Sequence, residues 1–182
     1  MSLVCHGGYH YWSVDFGGMP DLTKKTASLP LENWIGYRFG LVATRLGNFV
    51  APMYASRHNL SQPAWRCLAV IARYQPLTAK QLASLTSSDA FKIARAIDLL
   101  VRRGLIRRDA DKTDRRRAAL SLTAEGRKIY RDIDKFMVRV ERELTATLDA
   151  GELSALRQSV DKLDRQIEER LRSQNWEKFL KG

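Results

Sequence analysis

Between Thr78 and Thr123 the sequence carries start and stop signals so closely spaced that few architectures can accommodate them. Thr78-Ala-Lys-Gln81 has the spacing of a capping box, in which the first and fourth side chains satisfy each other's free backbone donors at a helix start. It opens a short helix to about Leu85. Ser87-Ser88-Asp89 offers N-cap chemistry for a second, longer helix. Ile93, Ile97, Leu100 and Val101 form its buried stripe, and Gly104 ends it directly after Arg102-Arg103. Leu105–Asp109 and Ala119–Thr123 then read as two strands, and the polar, Asp- and Arg-rich residues 110–118 between them make a hairpin with a long charged tip.

Long helices flank this stretch. From Leu31 onward, Ile35, Phe39, Val42, Leu46, Phe49, Val50 and Met53 recur at helical spacing, and Pro52 is expected to kink or end that helix. Ser61 caps a second helix that starts with Gln62-Pro63 and runs through Arg73 before Gln75-Pro76 breaks it. Thr123 caps a long helix with Ile129, Ile133, Phe136, Val140, Leu144 and Leu148 on one stripe. Asp149-Ala-Gly-Glu152 is another capping box, opening a last helix that carries Leu153, Leu156, Val160, Leu163, Ile167 and Leu171. Residues 1–29 hold four glycines and no helical period, so a flexible or loosely docked tail is expected there.

A short helix, a turn, a longer helix and a basic hairpin in that order describe a winged helix-turn-helix. The expected fold is therefore mainly α with a small β-hairpin wing. Four divisions follow: a tail at 1–29, an N-terminal dimerisation helix at 30–58, the winged module at 59–123 and C-terminal dimerisation helices at 124–182. The charge supports a polyanion as partner. The net charge is +11, and residues 78–117 carry 11 Lys and Arg against 5 Asp and Glu, whereas residues 124–182 carry 13 against 12. With its apolar stripe turned inward, the second helix of the pair presents Ser88, Phe91, Lys92 and Arg95. Lys92 and Arg95 can donate to guanine or phosphate, and Ser88 can bond a phosphate or a base. Free N–H groups at the capped helix starts, near Thr78 and Ser88, are expected to seat phosphates. The hairpin tip places Lys112, Arg115, Arg116 and Arg117 on a narrow projection suited to the minor groove, with Asp114 pairing to a neighbouring Arg to fix the loop.

Two runs carry a family resemblance: Asp89-Ala-Phe-Lys-Ile-Ala-Arg-Ala-Ile-Asp-Leu-Leu-Val-Arg-Arg-Gly-Leu-Ile106, and Asp114-Arg-Arg-Arg-Ala-Ala-Leu-Ser-Leu-Thr-Ala-Glu-Gly126. The first resembles the recognition helix of the MarR family of transcriptional regulators, ending in Arg-Gly-Leu-Ile. The second resembles that family's Asp-Arg-Arg wing with its following Leu-Thr and Gly. The likeness extends over about residues 31–170, while Lys92 and Phe91 depart from the family's usual recognition helix. It implies a homodimeric regulator, acting as a repressor, that binds a pseudo-palindromic operator through half-sites roughly 10 bp apart. It also implies release by a small aromatic or phenolic ligand. Trp34, Arg38 and Arg45 on the first long helix, with Trp65 and Arg66 on the second, are the candidates for that pocket, an aromatic wall beside an Arg suiting an aromatic acid.

Other chemistries find little support. The two cysteines, Cys5 and Cys67, belong to no CxxC pair, and Cys67 lies in the apolar phase of a helix as a core residue. Cys5, His6 and His10 make only a loose ligand cluster, so no metal and no cofactor is expected. No Gly-rich phosphate loop and no ordered catalytic triad is present, so we expect no enzyme and no catalytic residue. Apolar runs are short and broken by Arg, Gly or Pro, and the N-terminus lacks the basic-then-apolar order of a secretion signal, so a cytoplasmic location without membrane association is expected. The competing reading is a winged-helix module that docks protein or RNA without operator specificity.

Overall fold

The computed structural model describes residues 3–6, 9–12, 29–86, 88–110, 118–172 and 176–179. The chain divides into two compact units, residues 1–67 and 68–182.

In the first unit, β1 (Leu3–His6) and β2 (Tyr9–Trp12) pair antiparallel, from Leu3 opposite Trp12 to His6 opposite Tyr9. A tail was expected over 1–29, and part of it is a two-stranded ladder. Gly7-Gly8 between two β-prone runs is a hairpin-length spacer, a signal that the glycine count had obscured. After a 3-10 turn at Leu31–Asn33, α1 spans Ile35–His58. Pro52 neither ends nor bounds it: the helix continues to His58. Proline removes one donor and disturbs the turn before it. The helix stops where Asn59 turns left-handed at φ 50°, and Leu60 N–H returns to Tyr54 C=O at 2.9 Å. α2 (Gln62–Tyr74) then begins at Ser61, whose hydroxyl accepts from Ala64 N–H at 3.4 Å.

The second unit contains the expected helix pair and hairpin. α3 (Ala79–Thr86) and α4 (Ala90–Arg102) are followed by β4 (Ile106–Ala110) and β5 (Ala118–Leu122) in an antiparallel register from Ile106 opposite Leu122 to Ala110 opposite Ala118. A two-residue strand, β3 (Leu77–Thr78), adds to the free edge of β5 and makes a three-stranded sheet in the order β3-β5-β4. Two residues are too few for any periodicity to announce them. Gln75 extends the same edge: its Oε1 accepts from Leu122 N–H at 2.7 Å. The core between helices and sheet is apolar, with Leu82, Ile93, Ile97, Leu100, Leu105, Ile106, Leu120, Leu122 and Ile133 buried. Thr86 is buried among them and satisfied, its hydroxyl donating to Leu82 C=O at 2.9 Å.

α5 (Ala124–Thr145) starts at the sheet, and α6 (Ala150–Gln166) follows the expected Asp149–Glu152 capping box. A π-type turn at Ile167–Leu171 and a short α7 (Trp176–Phe179) complete the described chain. Gly126, in the first turn of α5, is a glycine by necessity, because a Cβ there would lie 1.9 Å from Leu105 C=O. Thr123 ties the same point together by donating to Gly104 C=O at 2.6 Å and accepting from Gly126 N–H at 3.1 Å.

Candidate nucleic-acid interface

The short α3 is fixed at its start by the expected box. Thr78 N–H donates to Gln81 Oε1 at 2.8 Å and Gln81 N–H to Thr78 Oγ1 at 3.3 Å. α4 is capped by Asp89, whose Oδ1 accepts from Phe91 N–H at 2.9 Å and Lys92 N–H at 3.2 Å. These bonds occupy two backbone donors at each helix start, and at α4 the occupant is a carboxylate, which weakens the pull of that helix end on an anion. Ser88 is half-buried and donates its hydroxyl proton to Thr86 C=O at 3.0 Å, leaving it an acceptor toward any outside partner.

The turn between the helices and the burial of Ile93, Ala96, Ile97 and Leu100 decide which way α4 faces. Phe91, Lys92 and Arg95 lie on the exposed side. Arg95 and Phe91 are one turn apart, and the guanidinium carbon of Arg95 sits 5.0 Å from the centroid of the Phe91 ring. The i,i+4 spacing of an aromatic and an arginine on one helix face is the sequence signal for that contact.

On the wing, Arg108 pairs with Asp98 of α4 at 2.6 Å and Arg107 with Asp109 at 2.7 Å. The first pair ties the wing's strand to Asp98, on the exposed side of α4, across ten residues of sequence. Nothing local in the sequence announces it. Both pairs are about half-exposed, so each contributes little to stability, about 0–1 kcal/mol. The tip residues Lys112, Asp114, Arg115, Arg116 and Arg117 lie outside the described residues.

The five candidates for a ligand pocket lie at the start of α1, along it and on α2. Trp34, Arg38, Arg45 and Arg66 are exposed, and Trp65 is half-buried with its ring stacked on Tyr54 at 6.4 Å and 16°. A hollow of about 490 Å³ does open in the first unit, between α1 residues 43–55 and residues 60–62. Its polar lining comes from Thr44, Asn48, Tyr54, Ser61 and Gln62, and none of the five candidates belongs to it. The helical period explains the miss: Thr44, Gly47, Asn48, Ala51 and Ala55 share one side of α1, whereas Arg38 and Arg45, seven residues apart, share another. The wall holds no formally charged side chain. Cys67 is fully buried, as expected, and burial pushes its thiol up to about 11 against the smaller opposing pull of Arg66. A thiol held protonated is a poor nucleophile and a poor redox sensor. Among the described residues no group of three His, Cys, Asp or Glu could hold a metal ion, and no helix is long and apolar enough to cross a membrane.

Comparison with known proteins agrees with this geometry. Residues 60–118 match the MarR family. The chain is 32% identical over 102 residues to a protein of Thauera aromatica described as a putative transcriptional regulatory protein for the hcr operon. That match takes in 56% of this chain and 61% of the relative, so the chain spans about three fifths of the relative's length. Among solved structures it is similar to a probable transcriptional regulator from Pseudomonas aeruginosa, at 28% identity and a TM-score of 0.58, covering 74% of this chain and 99% of that one. It is also similar in fold to MepR of S. aureus, solved as a complex with DNA, at 17% identity and a TM-score of 0.68, covering 75% of this chain and 98% of the other.

Proposed function

We propose that this chain, whose residues 60–118 match the MarR family, is a transcriptional regulator that binds duplex DNA as a homodimer and represses from a pseudo-palindromic operator. The exposed face of α4 carries the reading. Lys92 and Arg95 stand on the opposite side from the buried Ile93, Ile97 and Leu100, on the second helix of a capped pair. The major groove admits one such helix, and its N-terminal half meets the base edges. MepR, which shares the fold, was solved with DNA, and the Thauera aromatica relative carries a regulator's name. The basic residues Lys112 and Arg115 to Arg117 would add electrostatic contact in the minor groove.

Two apolar stripes support a second copy. On α1, Ile35, Phe39, Val42 and Phe49 are between 45% and 66% exposed in the single chain. On the C-terminal helices, Leu156, Val160, Leu163, Ile167 and Leu171 are likewise about half-exposed. Contiguous apolar surface of that kind marks an interaction site, and a two-fold pair of modules matches a palindrome. A small aromatic effector entering the hollow beside Tyr54 would meet hydroxyl and amide groups but no arginine, which favours a neutral phenol over an aromatic acid.

Selection of binding sites from a randomised duplex pool tests the proposal. The expected product is a near-palindrome with half-sites roughly 10 bp apart. Sedimentation should give about twice 20.8 kDa. A pool that emerges without any enriched sequence, or a monomer that holds a selected duplex tightly, overturns it.

A further inference from the structure

Phe91 stands in the first turn of α4 with 69% of its surface exposed. A phenyl ring left in water forgoes about 1.5–3 kcal/mol of burial, so its place on the outward face of this helix asks for a partner. Two constraints define what it offers. Asp89 fixes the helix start by accepting from the backbone N–H groups of Phe91 and Lys92. One turn on, Arg95 lays its guanidinium over the ring at 5.0 Å from the centroid. An arginine free in solvent samples many rotamers, and a cation held on an aromatic face samples fewer, so the fork of donors is preorganised.

That pairing has a natural complement in the major groove. Guanine presents O6 and N7 to an arginine fork, and thymine presents its 5-methyl group to an apolar surface. Successive bases are about 3.4 Å apart along a strand, comparable to the separation of ring and guanidinium. Resting on the DNA-binding reading above, we propose that Phe91 is a specificity-determining residue. Its ring seats Arg95 for a guanine and packs its free edge on the methyl of a neighbouring thymine. The preferred half-site therefore carries guanine and thymine side by side.

The test uses the full-length protein and the duplex recovered from the randomised pool. Each thymine is replaced in turn by uracil, which removes only the methyl, and each guanine by 7-deazaguanine, which removes the N7 acceptor. For the wild type, one thymine per half-site should lose about fourfold in affinity as uracil, the worth of one buried methyl group. An adjacent guanine should be sensitive to loss of N7. Phe91→Ala should erase the uracil effect and weaken the guanine preference. Phe91→Leu should keep the uracil effect and lose about two- to fivefold of the guanine preference, because it retains apolar contact without a π face. Both variants change an exposed side chain and should melt with the wild type. The proposal is overturned if the wild type tolerates uracil at every thymine, or if Phe91→Ala pays the same uracil penalty as the wild type. A pool without an enriched sequence removes the regulatory reading itself and this inference with it. An enriched operator insensitive to the thymine methyl removes this inference alone.

Discussion

Replacing Gly126 by Ala should destabilise the protein, although alanine is the better helix former. In an open helix the change would gain about 1 kcal/mol. Here the new Cβ would lie 1.9 Å from Leu105 C=O and 2.9 Å from its carbonyl carbon. An ordinary carbon–oxygen contact is about 3.3 Å, so the backbone at Leu105 or the start of α5 must retreat by more than about 1 Å. The same carbonyl accepts from Thr123 N–H at 3.1 Å, and Thr123 Oγ1 holds both Gly104 C=O and Gly126 N–H. Loss of a cap is worth about 1 kcal/mol and each broken hydrogen bond about 0.5–1.5 kcal/mol, while overpacking adds about 1–3 kcal/mol. After subtracting the helix gain, the net loss is about 2–4 kcal/mol. For a chain of this size that lowers Tm by roughly 5–15 °C. Thermal melts and urea titrations of Gly126→Ala measure it. Gly40→Ala is the control: among the described residues nothing outside its own helix backbone lies within 4 Å of a Cβ there, so the same substitution should be neutral or stabilising. A Gly126→Ala protein that melts at or above the wild-type temperature would refute the close-approach argument.

Three further outcomes follow from named side chains. Val42→Glu should leave each chain folded and yield a species near 20.8 kDa by sedimentation, because Val42 is 52% exposed within one chain; a variant that unfolds or stays dimeric contradicts the stripe. Arg95→Ala should lose about 1–3 kcal/mol on a selected duplex and less on random DNA, whereas Arg116→Ala should weaken both by a similar factor; titrations at fixed salt separate the two, and equal losses for Arg95→Ala would make α4 a phosphate clamp. Burial lifts the Cys67 thiol from 9.0 to about 11, so the folded chain keeps a proton that the unfolded chain releases above pH 9. The stability this provides is present in full below pH 9 and is lost as pH rises toward 11; Cys67→Ala should show a shallower decline over that window in urea titrations.

The helices, their caps and the wing were written in the sequence, and the reason is that each depends on residues three or four apart. Thr78 with Gln81, Asp149 with Glu152, and Thr123 before α5 satisfy donors within their own turn. The inward stripe of α4 is equally local, since Ile93, Ile97 and Leu100 need only the helical period to coincide. The outward face of α4 was legible for the same reason, being what that stripe leaves over. Tertiary structure decided what spans longer separations. β3 exists because Leu77 and Thr78 find the edge of β5 more than forty residues away. Arg108 finds Asp98 only after the chain has turned back at Gly104. The glycine at 126 was visible as a motif letter, but its cause, the Leu105 carbonyl, is a contact between a strand entry and a helix start. The hollow in α1 lay on a side of the helix that the choice of aromatic and arginine residues did not select. Periodicity assigns residues to a face, and packing determines which face becomes core, cavity or open surface.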